Sequence, residues 1–175
     1  MLKDRAAKIK LLILDVDGVM TDGLILLNDR GEEIKCFNVK DGQGLRLIMK
    51  AGVDVVLVTG RTSKAIEYRA KDLGIRELYQ GIDDKESLCI ELINSKRLNN
   101  EQVCCIGDDL PDIPMFNHVG LPIAVADAAV DVRNAACHVT KKGGGKGAVR
   151  EVCELILKAQ GSWPRIISNP EKKRE

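Results

Sequence analysis

Apolar positions along this chain switch between unbroken runs and helical spacing. Leu11-Leu12-Ile13-Leu14 is continuous and ends in Asp15-Val16-Asp17-Gly18. A run without polar interruption predicts a strand buried on both faces, as in a parallel sheet covered by helices. Val53 to Val58 and Val103 to Ile106 repeat the pattern, ending in Thr59-Gly60-Arg61 and Gly107-Asp108-Asp109. Between them, Leu45, Ile48 and Met49 predict a helix over Asp41 to Ala51, closed by Gly52. Thr62 or Ser63 caps a helix running to about Leu73, and a short strand is expected at Glu77-Leu78-Tyr79. Asp83 or Asp84 caps a helix that begins near Lys85 and buries Leu88, Leu92 and Ile93. Segments at Leu121 to Val125 and Cys137 to Thr140 bracket a helix around Ala128 to Ala136, and Val149, Val152, Cys153 and Ile156 mark the last helix.

The regular alternation of strand and helix predicts an α/β fold, a three-layer doubly wound and mostly parallel sheet. Residues 1–160 read as one domain, and residues 161–175 as a charged tail. The N-terminus leads straight into the first strand. Leu24 to Leu27 and Glu32 to Asn38 flank Asn28-Asp29-Arg30-Gly31, which predicts a β-hairpin flap over about residues 21–38. It is too small for a separate cap domain.

Composition narrows the function classes. Of 175 residues, 3% are aromatic, which speaks against base-stacking nucleic-acid modules. A net charge of +1 gives no global field for polyanions, so anion recognition must come from local Arg and Lys. No apolar run is long enough for a membrane span or a signal peptide, so a cytoplasmic protein is expected. The six cysteines show no C-x-x-C spacing, and His118 and His138 lack metal-ligand spacing. They read as core or surface residues in a reducing compartment.

The polar strand ends carry the chemistry. In parallel sheets, ligands bind beyond the carboxyl ends of the strands. Asp15 and Asp17 therefore meet Thr59, Lys85 at a helix start, and Asp108 with Asp109 and Asp112. A calcium loop is excluded, because Val19 and Met20 stand where a ligand and the turn glycine belong. A carboxylate attacking phosphorus faces the repulsion of the phosphate's own charge, so a shared Mg²⁺ is needed. A hydroxyl and an ammonium can neutralise the remaining oxygens.

The ordered set D-x-D-G-V, T-G-R, Lys and G-D-D-x-x-D resembles the four motifs of the haloacid dehalogenase superfamily phosphatases. A receiver domain is excluded by order, because Lys85 precedes the strand ending at Asp108. The resemblance implies that Asp15 is a nucleophile forming an aspartyl-phosphate and that Asp17 is the general acid and base. It implies Mg²⁺ held by Asp15, Asp17 through its carbonyl, and Asp108, with Thr59 and Lys85 on the phosphate.

With no cap, the flap, Asn38 to Gly44 and Gly143 to Gly147, the chain resembles the 3-deoxy-D-manno-octulosonate 8-phosphate phosphatase family. That resemblance implies hydrolysis of this sugar acid phosphate in lipopolysaccharide precursor synthesis, by a homotetramer. It places Asn38, Val39, Lys40, Asp41, Gly42, Arg46, Gly60, Arg61, Arg69, Asp17 and Lys85 on the substrate, and implies that the glycine-rich segment helps close an active site. Two alternatives stay open: a phosphatase of a nine-carbon sialic-type acid 9-phosphate, or a non-catalytic oligomerisation domain of sugar-activating enzymes.

Overall fold

The computed structural model describes residues 1–168. A first helix, α1 (Leu2–Ala7), precedes the opening strand β1 (Leu11–Leu14), so the N-terminus does not lead straight into the sheet. Ala6 is buried and Leu2 packs against the core, and this i, i+4 pair anchors the helix.

The chain continues through the hairpin β2 (Leu26–Leu27) and β3 (Glu33–Ile34), helix α2 (Val39–Lys50), strand β4 (Asp54–Val58), helix α3 (Lys64–Leu73) and strand β5 (Glu77–Tyr79). Helix α4 (Lys85–Ser95), strand β6 (Val103–Gly107), helix α5 (Ile113–Phe116), strand β7 (Leu121–Ala124), helix α6 (Val130–Ala135), strand β8 (His138–Val139) and helix α7 (Ala148–Ala159) follow. Helix α8 (Trp163–Ser168) occupies the start of the segment expected to be a charged tail. The rest of that segment lies outside the described residues. Trp163 faces the Arg150 guanidinium at 5.5 Å and the Lys158 ammonium at 4.9 Å, which ties α8 to α7.

Six strands form one sheet in the order β5-β4-β1-β6-β7-β8, and every pairing is parallel. The chain moves outward from β1 through β4 to β5, then returns to the other side of β1 for β6. Right-handed crossovers therefore put α2 and α3 on one face and α4, α5 and α6 on the other. The packing agrees: α7 lies on α1 and α2, and α5 lies against α4 and α6. All four β1 side chains are fully buried, as a central strand between two helical layers requires.

The reversal of direction at β1 fixes the site. Leu14 pairs with Leu57 on one side and Ile106 on the other, so β1, β4 and β6 leave the sheet at one level. Asp15, Thr59 and Asp108 follow within two residues of that level. The hairpin strands are shorter than the apolar pattern suggests. Leu24 and Ile25 lie outside them and are exposed.

Candidate active site

Beyond β1 the backbone turns sharply, with the Met20 and Thr21 amides both donating to the Val16 carbonyl. Gly18 sits at φ +86° with its α-carbon against Asp108. A β-carbon there would lie 1.9 Å from Asp108 Oδ2, so only glycine fits. The glycine thus serves two ends: it turns the chain and leaves room for a carboxylate from the neighbouring strand.

Lys85, the first residue of α4, is buried and reaches into this cluster. Its ammonium donates to Asp15 Oδ1 at 2.6 Å and to Asp112 Oδ1 at 2.7 Å. The other Asp112 oxygen accepts from the Asp108 amide at 2.9 Å and the Asp109 amide at 3.4 Å, which ties down the loop after β6. One carboxylate oxygen each from Asp15, Asp108 and Asp112 lies within 4.8 Å of the other two. Thr59 is buried, and its hydroxyl oxygen accepts from the Arg61 amide at 3.2 Å.

The electrostatics show a deficit of positive charge. Burial and the Asp112 carboxylate push Asp15 up to about 7, although Lys85 pulls the other way. Burial, then Asp15, Asp112 and Asp109, push Asp108 up to about 8. Burial works against the Lys85 ammonium, but the two carboxylates outweigh it and hold its pKa above the ordinary lysine value. Three clustered carboxylates share one ammonium, and a divalent cation is the group whose binding would balance them. Asp112 spends both oxygens on Lys85 and backbone amides. Asp15 and Asp108 are therefore the side chains free to hold such an ion.

A cavity of about 330 Å³ opens above the cluster. Asp15, Asp17, Thr59, Gly60, Arg61, Lys85 and Asp108 all line it, with Gly23 and Ile25 from the flap side. Seven of the expected site residues thus converge. The others gather elsewhere. Arg46 and Arg69 both bind Asp72, at 3.0 and 2.7 Å, and Arg69 also donates to the Asn38 carbonyl at 3.4 Å. Gly42 packs against the Arg69 guanidinium, while Val39 and Lys40 are exposed on the first turn of α2. Asp41 points away from solvent and accepts from the Gly147 and Arg150 amides at 3.1 and 2.7 Å, capping α7 from another helix. Its carboxylate is occupied within the fold.

The glycine-rich segment supports the acid turn. Gly145 donates its amide to the Val19 carbonyl at 3.0 Å, and the Asn38 side-chain amide donates to the Gly145 carbonyl at 3.1 Å. None of Gly143 to Gly147 lines the cavity of its own chain.

Two residues that the motif reading passed over stand at the site. Lys35 donates to Asp17 Oδ1 and, at 3.2 Å, to Glu33 Oε1, while Arg61 donates to the same Glu33 oxygen at 2.7 Å. Burial works against the Glu33 carboxylate, but its bonds from Lys35 and Arg61 hold its pKa below the ordinary value. The alternation Glu33-Ile34-Lys35 already places both charges on one strand face.

Comparison with known proteins agrees with this geometry. A family model described as haloacid dehalogenase-like hydrolase matches residues 75–151. The 3-deoxy-D-manno-octulosonate 8-phosphate phosphatase of Yersinia pestis is 53% identical over 156 residues, covering 89% of this chain and 83% of that protein. The chain belongs to this phosphatase family. The corresponding phosphatase of Escherichia coli K12 is 48% identical over 90% of this chain and 84% of its own length. A crystal structure of the Moraxella catarrhalis phosphatase, in complex with a magnesium ion, a phosphate ion and KDO, superposes with a TM-score of 0.94. It is 40% identical and covers 97% of this chain and 98% of that one. The parallel sheet, the flanking helices and the small hairpin are those of the family.

Proposed function

We propose that this phosphatase hydrolyses 3-deoxy-D-manno-octulosonate 8-phosphate to the free sugar acid and phosphate, a step in lipopolysaccharide precursor synthesis. The observation that carries the reading is the convergence of Asp15, Asp17, Thr59, Lys85 and Asp108 on one cavity. It is joined by the identity with proteins named for this substrate.

Asp15 is the nucleophile: its carboxylate attacks phosphorus and becomes an aspartyl-phosphate. Asp17 donates a proton to the departing sugar oxygen, then takes one from the water that releases phosphate. Lys85 and Thr59 hold the phosphate oxygens, and the ammonium orients Asp15 through Oδ1. Asp15 and Asp108 hold Mg²⁺ by their carboxylates and Asp17 by its backbone carbonyl. When bound, the ion draws charge off the phosphoryl oxygens and brings two anions together.

The sugar acid also carries a carboxylate, which calls for further cations. Arg61 stands at the cavity mouth, and Gly60 allows close approach beside it. Asn38, Val39, Lys40, Arg46 and Arg69 lie outside the cavity of their own chain, so we assign them to the substrate of a neighbouring subunit, whereas Asp41 and Gly42 are buried in the fold, where Asp41 holds α2 and α7 together. Exposed Leu24, Leu26, Leu27 and Ile34 give the flap an apolar surface that a second copy would cover. This supports a homo-oligomer, which by the family resemblance we propose to be a tetramer. All six cysteines are free thiols, in keeping with the cytoplasm. No helix among the described residues is long and apolar enough to cross a membrane.

The test is phosphate release from a panel of sugar phosphates with and without Mg²⁺. The reading expects strong preference for the eight-carbon acid phosphate and no turnover after chelation. Preference for a nine-carbon acid 9-phosphate would replace the substrate, and no release from any sugar phosphate would remove the enzyme assignment.

A further inference from the structure

The flap is built inside out. On its two strands the apolar Leu26, Leu27 and Ile34 are 44%, 62% and 52% exposed. The side chains of Lys35 and Glu33 are only 2% and 14% exposed. Burying a lysine and a glutamate while leaving leucines in solvent is the reverse of what folding favours, unless the charges meet fixed partners. They do. Lys35 binds Asp17 Oδ1, Glu33 binds Lys35 and Arg61, and Arg61 Nε stands 3.8 Å from Asp17 Oδ2.

The two Asp17 oxygens are left unequal. Oδ1 is held by the flap, whereas Oδ2 is buried and has no hydrogen-bond partner among the described residues. A carboxyl group pinned at one oxygen cannot rotate freely about its terminal bond, so the other oxygen stays in one place. We propose that Lys35, steadied by Glu33, is a positioning residue that holds Asp17 Oδ1 and thereby fixes the orientation of the carboxyl group that serves the oxygen of the departing sugar. The inference rests on the reading of Asp17 as the general acid. Proton transfer then runs from the Asp17 carboxyl group to the bridging oxygen as the P–O bond to the sugar breaks and the bond from Asp15 to phosphorus forms.

The test compares two leaving groups. A sugar alkoxide needs a proton to depart; p-nitrophenolate does not. The quantity to read is kcat/KM, which reports the steps through departure of the leaving group. In Lys35→Met, which keeps the length of the stem and removes the charge, kcat/KM for the sugar acid phosphate falls on the order of 10- to 100-fold. That is part of the 10²- to 10⁴-fold typical of general acid catalysis. With p-nitrophenyl phosphate the fall stays within about 3-fold, and Lys35→Arg recovers most of the loss on the sugar phosphate. Equal losses on both substrates would mean that Lys35 only shapes the flap, and no loss on either would mean that it does nothing for Asp17. Each result overturns the proposal. Asp17→Asn separates the two levels: a split between substrates there without one in Lys35→Met sinks the Lys35 role alone. No split in Asp17→Asn sinks the acid assignment itself.

Discussion

Replacing Gly144 by alanine tests whether the glycine-rich segment holds the acid turn in place. A β-carbon at this position would lie 1.7 Å from the Gly18 carbonyl oxygen, half the 3.4 Å at which ordinary contact begins. It would also stand 2.4 Å from the Gly18 carbonyl carbon and 2.8 Å from the Thr21 carbonyl oxygen. These are backbone atoms of the turn carrying Asp17, and no flexible side chain can give way. Overpacking of this kind costs about 1–3 kcal/mol, and the rigid partner puts it near about 3. At about 2–4 °C per kcal/mol for a chain of this size, the melting temperature falls by roughly 6–12 °C. A shift of the turn by about 1 Å also costs catalysis on the order of 100-fold. Gly31→Ala is the control, because Gly31 has a positive φ of +74° and open space around it. That variant loses only the about 1–2 kcal/mol of left-handed backbone and keeps its activity. Calorimetric melting and Mg²⁺-dependent phosphate release on both variants make the comparison. A Gly144→Ala protein that melts within about 1 °C of the parent and turns over at the parent rate would refute the buttress.

Three further outcomes follow from the same geometry. Lys85→Met leaves Asp15 and Asp112 buried without their shared ammonium, which costs about 3–5 kcal/mol. Adding Mg²⁺ then raises its melting temperature more than it raises that of the parent, as thermal scans with and without the ion would read. Asp41→Ala strips the cap from the Gly147 and Arg150 amides and lowers stability by about 1–3 kcal/mol, measured by denaturant unfolding. Paired Leu26→Glu and Leu27→Glu substitutions on the exposed flap face leave each chain folded and shift its mass in sedimentation toward the monomer.

The sheet and most of the cavity were legible because their signals are local. Leu11 to Leu14 announces a doubly buried strand, and the carboxylates after it can only emerge at the sheet edge. Glycines, caps and apolar spacing then place Thr59, Lys85 and Asp108 without tertiary information. What the sequence hid was long-range. Nothing near Asp41 reveals that its partners lie 106 and 109 residues away at the start of α7. Gly144 reads as linker until the Gly18 carbonyl is found against it. The hairpin strands are shorter than the apolar pattern predicts because Leu24 is exposed and Ile25 lines the cavity, and neither pairs in a strand. Helix α1 was missed although Leu2 and Ala6 stand one turn apart. Lys35 carries no such signal, because a lone lysine just past a short strand looks solvated until the site beneath it is seen.

In the proposed mechanism Asp15 accepts the phosphoryl group. The direct measurement is rapid acid quench of the Mg²⁺-loaded enzyme during turnover of 3-deoxy-D-manno-octulosonate 8-phosphate, followed by mass spectrometry of the peptide that contains Asp15. A phosphoryl adduct on that carboxylate, absent from Asp15→Asn along with phosphate release, is the expected result. Undiminished turnover in Asp15→Asn, with no adduct in the parent enzyme, would contradict it.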